Sequence, residues 1–211
     1  MITVIPTDLT FGPLSPRQAT RRIIIHHSAS PDVSAATIHG WHLQRGWSGI
    51  GYHFVIRQDG SIEEGRPADT IGAHAGAPAN GDSIGICLAG NFMEYSPAGQ
   101  QLESLVQLIA YLGETYQADL EVLRHQDVAP TDCPGDLFPW PEINGVLYGP
   151  SCDGNEEGNT MEPWKNDIMT RAMDNKLITL EHDPDEPAPK WFVLAIALNI
   201  LQEVENLDQK Q

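Results

Sequence analysis

Residues 21–30 read RRIIIHHSAS and hold the most informative pattern in the chain. Three consecutive isoleucines, Ile23–Ile25, form a β-branched apolar run, which is typical of a strand buried on both faces of a sheet. Polar side chains follow at once, starting with His26 and His27. The stretch therefore predicts a central strand whose polar end emerges at an edge of the sheet, where a loop that binds a ligand is expected.

Strand-like and helix-like segments alternate downstream of this run. Ser34 is predicted to cap a helix that ends near Gly46, and residues 51–66 predict a hairpin around the favoured turn pair Asp59-Gly60. The later elements are a buried strand in residues 83–92, a long helix that starts at the Ser96-Pro97 pair and a short strand in residues 120–130. This alternation predicts an α/β fold, in which helices flank a mixed central β-sheet.

The composition of the chain changes near residue 148. Residues 148–161 are rich in glycine, asparagine and acidic residues and lack apolar periodicity, which predicts a linker. Residues 1–147 would then form the first domain, and residues 162–211 a small module with two helical patterns. The second pattern contains the apolar run Trp191–Leu201, which needs a surface to pack against.

Composition and charge exclude several classes of protein. Of the 211 residues, 41% are hydrophobic and 19% charged, which indicates a globular chain. The formal net charge of -17 argues against a surface that binds nucleic acid or anionic lipid. The run Trp191–Leu201 is about half of the ~20 residues that a bilayer requires, so no stable membrane insertion is expected. The first residues lack a basic region followed by an apolar one, so we expect synthesis in the cytoplasm without a signal peptide.

Histidine and cysteine are the residue types that could carry chemistry. The three cysteines are far apart, which is a poor disulfide framework and favours a reduced compartment or a metal ligand. His125 precedes Cys133 by eight positions, across a loop that contains Pro130. With His26 or His27, they would give zinc three ligands and leave the fourth position for water, as in catalytic sites. Spacing alone leaves open the alternative of unrelated histidines beside a buried thiol.

Four motifs between Arg22 and Trp140 give the chain a family resemblance. They are IIIHHSAS at 23–30, WHLQRGWSGIGYHFVIRQDGSIEEGR at 41–66, IGAHAGAPANGDSIGICLAGNF at 71–92 and LRHQDVAPTDCPGDLFPW at 123–140. In order and spacing these motifs resemble the zinc-dependent N-acetylmuramoyl-L-alanine amidases. That superfamily includes phage lysozyme-type amidases and the peptidoglycan recognition proteins of animals.

The resemblance implies one Zn²⁺ per chain, with His26, His125 and Cys133 as its ligands. His26 is preferred to His27 because the family's ligand directly follows the apolar strand. Tyr52 matches the family's active-site tyrosine, whose phenol can donate a hydrogen bond to developing negative charge. When bound, zinc lowers the pKa of a coordinated water toward ~7 and polarises a carbonyl group.

The resemblance also implies roles for three further positions. Thr131 lies where several phage members have a lysine, and its neutral hydroxyl donates a weaker hydrogen bond than an ammonium group. It is the second catalytic candidate. His74 and Asn80 resemble positions that line the family's substrate cleft, so contacts with the muramyl peptide are expected, although Asn80 could equally stabilise a turn.

The implied reaction is hydrolysis of the amide bond between N-acetylmuramic acid and L-alanine, with peptidoglycan as the substrate. A phage or prophage endolysin, made in the cytoplasm and acting on the cell wall, is the preferred interpretation. A cytosolic amidase that recycles muropeptides is one alternative, and a non-catalytic peptidoglycan-binding module is another. For the C-terminal module, three roles remain open: binding to the wall, homo-oligomerisation through its helices, or a lid on the amidase domain.

Overall fold

A mixed six-stranded sheet organises the protein, in the strand order β1-β4-β3-β5-β2-β6. The structure, a computed structural model, describes residues 2–148. The strands are β1 (Val4–Ile5), β2 (Arg22–His27), β3 (Phe54–Ile56), β4 (Ile62–Glu64), β5 (Ser83–Leu88) and β6 (Glu121–Arg124). The predicted central strand is confirmed, because β2 lies between β5 and β6 and runs parallel to both.

Helices α1 (Ala35–Gln44) and α3 (Gly99–Tyr116) confirm the alternation of strands and helices. The shorter helices α2 (Ala77–Asn80) and α4 (Trp140–Tyr148) were not predicted, because each is too short to show an apolar period. The predicted hairpin is also correct, since β3 and β4 pair antiparallel. As predicted, the side chain of Ser34 caps α1 by accepting a hydrogen bond from the Thr37 N–H.

Both faces of the sheet are covered, as the α/β prediction requires. Successive residues of β2 point to opposite faces. Ile23 and Ile25 pack in a buried cluster with α3, whereas Ile24 packs with Ala75 and Ala79. Burying one such isoleucine side chain contributes about 1.5–3 kcal/mol. The alternation continues past the apolar run, so that His26 follows Ile24 onto the face that does not carry α3.

The predicted start of the long helix was wrong. Helix α3 begins at Gly99, with Ala98 as its N-cap, rather than at the Ser96-Pro97 pair. The reason is Gln101, a buried residue whose Oε1 accepts a hydrogen bond from the Ala98 N–H. Its side-chain amide also donates to the carbonyl oxygens of Ile56 and Ala89, at the ends of two strands. The first turn of the helix is therefore set by Gln101, through its bond to the N-cap residue together with its tertiary contacts.

Within residues 2–148, no helix is long and apolar enough to cross a membrane. The predicted linker at residues 148–161 and the predicted helical module at residues 162–211 lie outside the described residues, apart from Tyr148 at the end of α4. The domain boundaries therefore remain predictions.

Candidate metal centre

Two neighbouring parallel strands bring the candidate ligands to the same edge of the sheet. In the register of β2 with β6, Ile25 pairs with Arg124. The next residues, His26 near the end of β2 and His125 directly after β6, therefore lie side by side. His125 begins a short 3₁₀ turn, His125–Asp127, beyond which the chain loops back to Cys133. The cluster is thus a product of strand pairing and of this loop.

The geometry of the three residues fits a tetrahedral zinc ion. The ligand atoms of His26, His125 and Cys133 lie within 4.8 Å of one another, and the Cys133 Sγ is 3.7 Å from the His26 Nδ1. Ideal zinc bonds of ~2.0 Å to nitrogen and ~2.3 Å to sulfur place two ligand atoms about 3.5 Å apart. Small movements would suffice to close the site on an ion. The structure thus brings the three predicted ligands together.

Backbone hydrogen bonds hold the loop that carries Cys133. The Gln126 N–H donates to the Cys133 carbonyl oxygen over 2.9 Å, which closes the loop. The thiol sulfur of Cys133 accepts a hydrogen bond of 3.4 Å from the His27 N–H, at the end of β2. At the other end of the loop, Asp127 accepts hydrogen bonds from the backbone and guanidinium of Arg124. The loop is therefore tied to both β2 and β6.

The structure separates His26 from its neighbour His27. The Nδ1 of His27 accepts a hydrogen bond of 3.1 Å from the Phe92 N–H, and its ring packs against Phe92. That contact lies on the opposite face of the sheet, in the cluster that contains α3. His26 lies beside His125, with 4.5 Å between ring centroids. The predicted preference for His26 thus agrees with the geometry.

Burial sets the protonation states of the candidate ligands. It lowers the pKa of His26 well below its usual value, and the nearby His125 lowers it further. Burial also lowers the pKa of His125. Both imidazoles are therefore neutral at pH 7, which is the state that binds a metal. Burial raises the pKa of Cys133 to about 11, opposed by the hydrogen bond from the His27 N–H. Cys133 is therefore a thiolate at neutral pH only when a cation lies beside it.

Tyr52 lies next to the cluster. Its ring centroid is 5.0 Å from that of His26. Burial raises its pKa well above the usual value, and the neighbouring Cys87 and Cys133 raise it further. The phenol therefore keeps its proton at neutral pH. Among residues 2–148 its hydroxyl has no hydrogen-bond partner, so it is free to donate to a bound substrate.

The other three predicted site residues have structural contacts of their own. The Thr131 hydroxyl oxygen accepts a hydrogen bond of 3.3 Å from the Cys133 N–H. The Asn80 Oδ1 accepts from the N–H groups of His74 and Ala75, which is the turn-stabilising role considered for it. His74 is buried and lies directly behind His26, with its Nδ1 2.9 Å from the His26 Nε2. Substrate contacts of His74 and Asn80 remain predictions.

Four other histidines have a structural use, because each accepts a backbone N–H at Nδ1; they are His27, His39, His42 and His53. Sequence reasoning missed Ser83, which contacts His74. A glycine inside a buried strand, Gly85 in SIGICL, is a signal that could have revealed a close neighbour there.

Comparisons with known proteins agree with this geometry. The family model described as N-acetylmuramoyl-L-alanine amidase matches residues 16–136. The endolysin of Klebsiella phage KP32 is 38% identical over 142 residues, which cover 62% of this chain and 91% of that protein. The solved structure of the N-acetylmuramoyl-L-alanine amidase LysC from Clostridium intestinale is 40% identical with a TM-score of 0.66, covering 70% of this chain and 98% of that one.

A more distant structure resembles the same part of the chain. Peptidoglycan recognition protein LE, solved in complex with tracheal cytotoxin, a monomeric diaminopimelic acid-type peptidoglycan, is 25% identical with a TM-score of 0.61. It covers 70% of this chain and 95% of its own. The family match spans more than half of the 211 residues and includes all three clustered ligands. The chain therefore belongs to the N-acetylmuramoyl-L-alanine amidase family.

Proposed function

We propose that this chain hydrolyses the amide bond between N-acetylmuramic acid and L-alanine in peptidoglycan, as an endolysin, with one zinc ion held by His26, His125 and Cys133. The observation that carries the proposal is the convergence of these three ligand atoms within 4.8 Å beside Tyr52. Family membership supports the reaction, and the endolysin relatives support the setting.

The chain supplies a donor set suited to catalytic zinc. Two neutral imidazoles and one thiol give three protein ligands and leave a fourth position open. When bound, zinc activates water at neutral pH and acts as a Lewis acid toward a carbonyl oxygen. His26 and Cys133 are held by contacts with the protein interior, so the site is organised before a substrate arrives.

Tyr52 is proposed to stabilise the charge that develops on the scissile carbonyl oxygen. Its raised pKa keeps the phenol protonated, and its hydroxyl is available to donate. Such a preorganised donor typically contributes 10²–10³ in rate. Thr131 is proposed as a second, weaker donor near Cys133. Its oxygen already accepts the Cys133 N–H, which leaves the hydroxyl proton free to donate.

Peptidoglycan is the proposed substrate, and the wall the proposed place of action after synthesis in the cytoplasm. Support comes from the endolysin relatives and from the muropeptide bound by peptidoglycan recognition protein LE. Homo-oligomerisation through residues 162–211 is a separate proposal, which sedimentation of the full and truncated chains tests.

The test is digestion of purified sacculi with and without a chelator. We expect new amino groups from L-alanine, no new reducing sugar ends, and loss of the reaction in chelator. New reducing ends without amines would indicate a glycosidase instead. Cleavage of soluble muropeptides but not of intact sacculi would favour the recycling amidase. Binding to sacculi without any release of amines would favour a binding module.

A further inference from the structure

A series of hydrogen bonds behind the candidate metal site suggests a role for His74. We propose that His74 is a positioning residue: it accepts a hydrogen bond from the Nε2–H of His26 and so keeps the His26 Nδ1 free, and correctly aimed, for the metal. The inference rests on the proposed function, because it assumes that His26 is a zinc ligand.

The two ring nitrogens of His26 face different partners. Its Nδ1 lies 3.7 Å from the Cys133 Sγ, inside the ligand cluster. Its Nε2 lies 2.9 Å from the Nδ1 of His74, away from the cluster. A ligand nitrogen must present its lone pair to the metal, so the proton of the neutral ring has to be on Nε2. That proton can only be donated to the His74 Nδ1.

The series of hydrogen bonds continues beyond His74 in one direction. If the His74 Nδ1 accepts, its proton is on Nε2, which lies 3.4 Å from the Ser83 Oγ. The Ser83 hydroxyl in turn donates to the Ala79 carbonyl oxygen over 2.5 Å. A carbonyl oxygen can only accept, so the position of each proton in this series of hydrogen bonds is defined. The tautomer of His26 is therefore set from the protein interior.

Packing also constrains the His74 ring. A Cβ atom at Gly85 would lie 2.6 Å from the His74 Cδ2, and one at Gly72 would lie 2.5 Å from the same atom. The ring thus fills a slot that exists only because both positions are glycine. The Asn80 Oδ1 fixes the backbone of this segment by accepting the N–H of His74. Packing thus fixes the plane of the ring, and the hydrogen bonds to His26 and Ser83 determine which nitrogen faces which partner.

This role differs from the predicted contact between His74 and the substrate. His74 is only 9% exposed. One ring nitrogen contacts His26 and the other contacts Ser83, so both are occupied within the protein. Partners that orient metal-binding histidines in this way typically matter 10–100-fold for metal affinity or activity. An effect of His74 on the metal, rather than on substrate binding, is what the geometry supports.

The test compares two substitutions of nearly equal shape in the full chain, His74→Leu and His74→Asn. Asparagine places an acceptor oxygen near the position of the lost Nδ1, whereas leucine places a methyl group there. Competition with a chelator should show zinc affinity about 10–100-fold weaker in His74→Leu and close to the parent in His74→Asn. The visible spectrum of the cobalt-substituted protein should change in His74→Leu only.

The matched control is His39→Leu. His39 is also buried, and its Nδ1 accepts a hydrogen bond from the Ile50 N–H, but it is not part of the ligand cluster. It should lose stability without losing zinc affinity. Parent-like zinc affinity in His74→Leu would overturn the proposal. So would a His74→Asn protein that folds but binds zinc as weakly as His74→Leu.

A measurement on the unmodified protein covers the case in which His74→Leu fails to fold. Nitrogen-15 NMR of the metal-free protein should show His26 protonated at Nε2 and His74 unprotonated at Nδ1. A His26 ring protonated at Nδ1 would overturn the proposal. Failure of the proposed function looks different: the parent would bind no zinc, or Cys133→Ala would bind it equally well, whatever the tautomer of His26.

Discussion

The Sγ of Cys133 lies 3.7 Å from the Nδ1 of His26, although the two residues are 107 positions apart in the chain. A hydrogen bond from the His27 N–H to the same sulfur also ties the two segments together at this point. The candidate metal site therefore lies where the central strand meets the loop that follows β6, and its geometry depends on both.

Removal of one ligand should strip or loosen the zinc. We expect about one zinc per chain in the parent and much less in Cys133→Ala or His125→Ala, because each loses one of three protein ligands. Metal analysis of the purified proteins measures this. Cys87→Ala is the control, since Cys87 is buried in another cluster and should leave zinc unchanged. Full zinc in both ligand variants would refute the assignment.

Tyr52→Phe should slow catalysis without affecting the metal. The variant keeps the ring beside His26 and removes only the hydroxyl, so kcat should fall on the order of 10²-fold or more while zinc is retained. The assay is release of amines from a soluble muramyl peptide. Tyr111→Phe, on the exposed surface of α3, should behave as the parent. A Tyr52→Phe protein as fast as the parent would remove Tyr52 from the mechanism.

Asn80→Ala should destabilise the protein rather than weaken substrate binding. The substitution removes the acceptor for two backbone N–H groups, and each such hydrogen bond contributes about 0.5–1.5 kcal/mol. The free energy of unfolding should therefore fall by about 1–3 kcal/mol, with KM unchanged. Asn91→Ala loses one exposed bond, to the Met93 N–H, and should cost less. A raised KM with unchanged stability would instead support the predicted substrate contact.

Stability should fall on acidification below pH 6.5. Burial lowers the pKa of His53 to about 3, and the Gly85 N–H, which donates to its Nδ1, leaves no room for a second proton. In the unfolded chain a histidine titrates near pH ~6.5. Between these values the unfolded state binds the extra proton, so the free energy of unfolding falls by about 1.4 kcal/mol per pH unit for this group. The contribution of His53 to stability is complete above pH ~6.5 and is lost progressively toward pH ~3.

Urea unfolding at several pH values, with chelator present throughout, measures this dependence. His53→Asn keeps an acceptor for the Gly85 N–H and cannot titrate, so its slope should be smaller by about one proton. Burial likewise lowers the pKa of His42 to about 4, so part of the slope should persist in this variant. Equal slopes in parent and variant would mean that His53 is charged in the folded protein.

A chain ending at residue 150 should be a complete amidase. The family match at residues 16–136 and the three clustered ligands all lie within it. We expect it to fold, bind zinc and cleave a soluble muramyl peptide. Sedimentation and sacculus pull-down of the full and truncated chains would show whether residues 162–211 serve assembly or wall binding. Aggregation of the truncated chain would favour the lid, and a folded, zinc-loaded but inactive chain would contradict the modular interpretation.

Local patterns were sufficient for much of the fold. The apolar run Ile23–Ile25 predicted the central strand, Asp59-Gly60 predicted the hairpin, and Ser34 predicted the cap of α1. These features depend on neighbouring residues, through side-chain periodicity, turn geometry and capping. The start of α3 could not be predicted in this way, because it depends on hydrogen bonds from Gln101 to strands distant in the sequence.

For the site, the sequence alone determined the residue types and, through the family resemblance, predicted His26, His125 and Cys133 as the zinc ligands. Only the tertiary structure decided their arrangement, because the register that aligns Ile25 with Arg124 depends on pairing between strands far apart in the chain. It also decided which nitrogen of His26 faces the cluster and placed His74 behind it. The orientation of the His74 ring depends on packing against Gly72 and Gly85 and on hydrogen bonds with His26 and Ser83, and no spacing of residues along a chain encodes it.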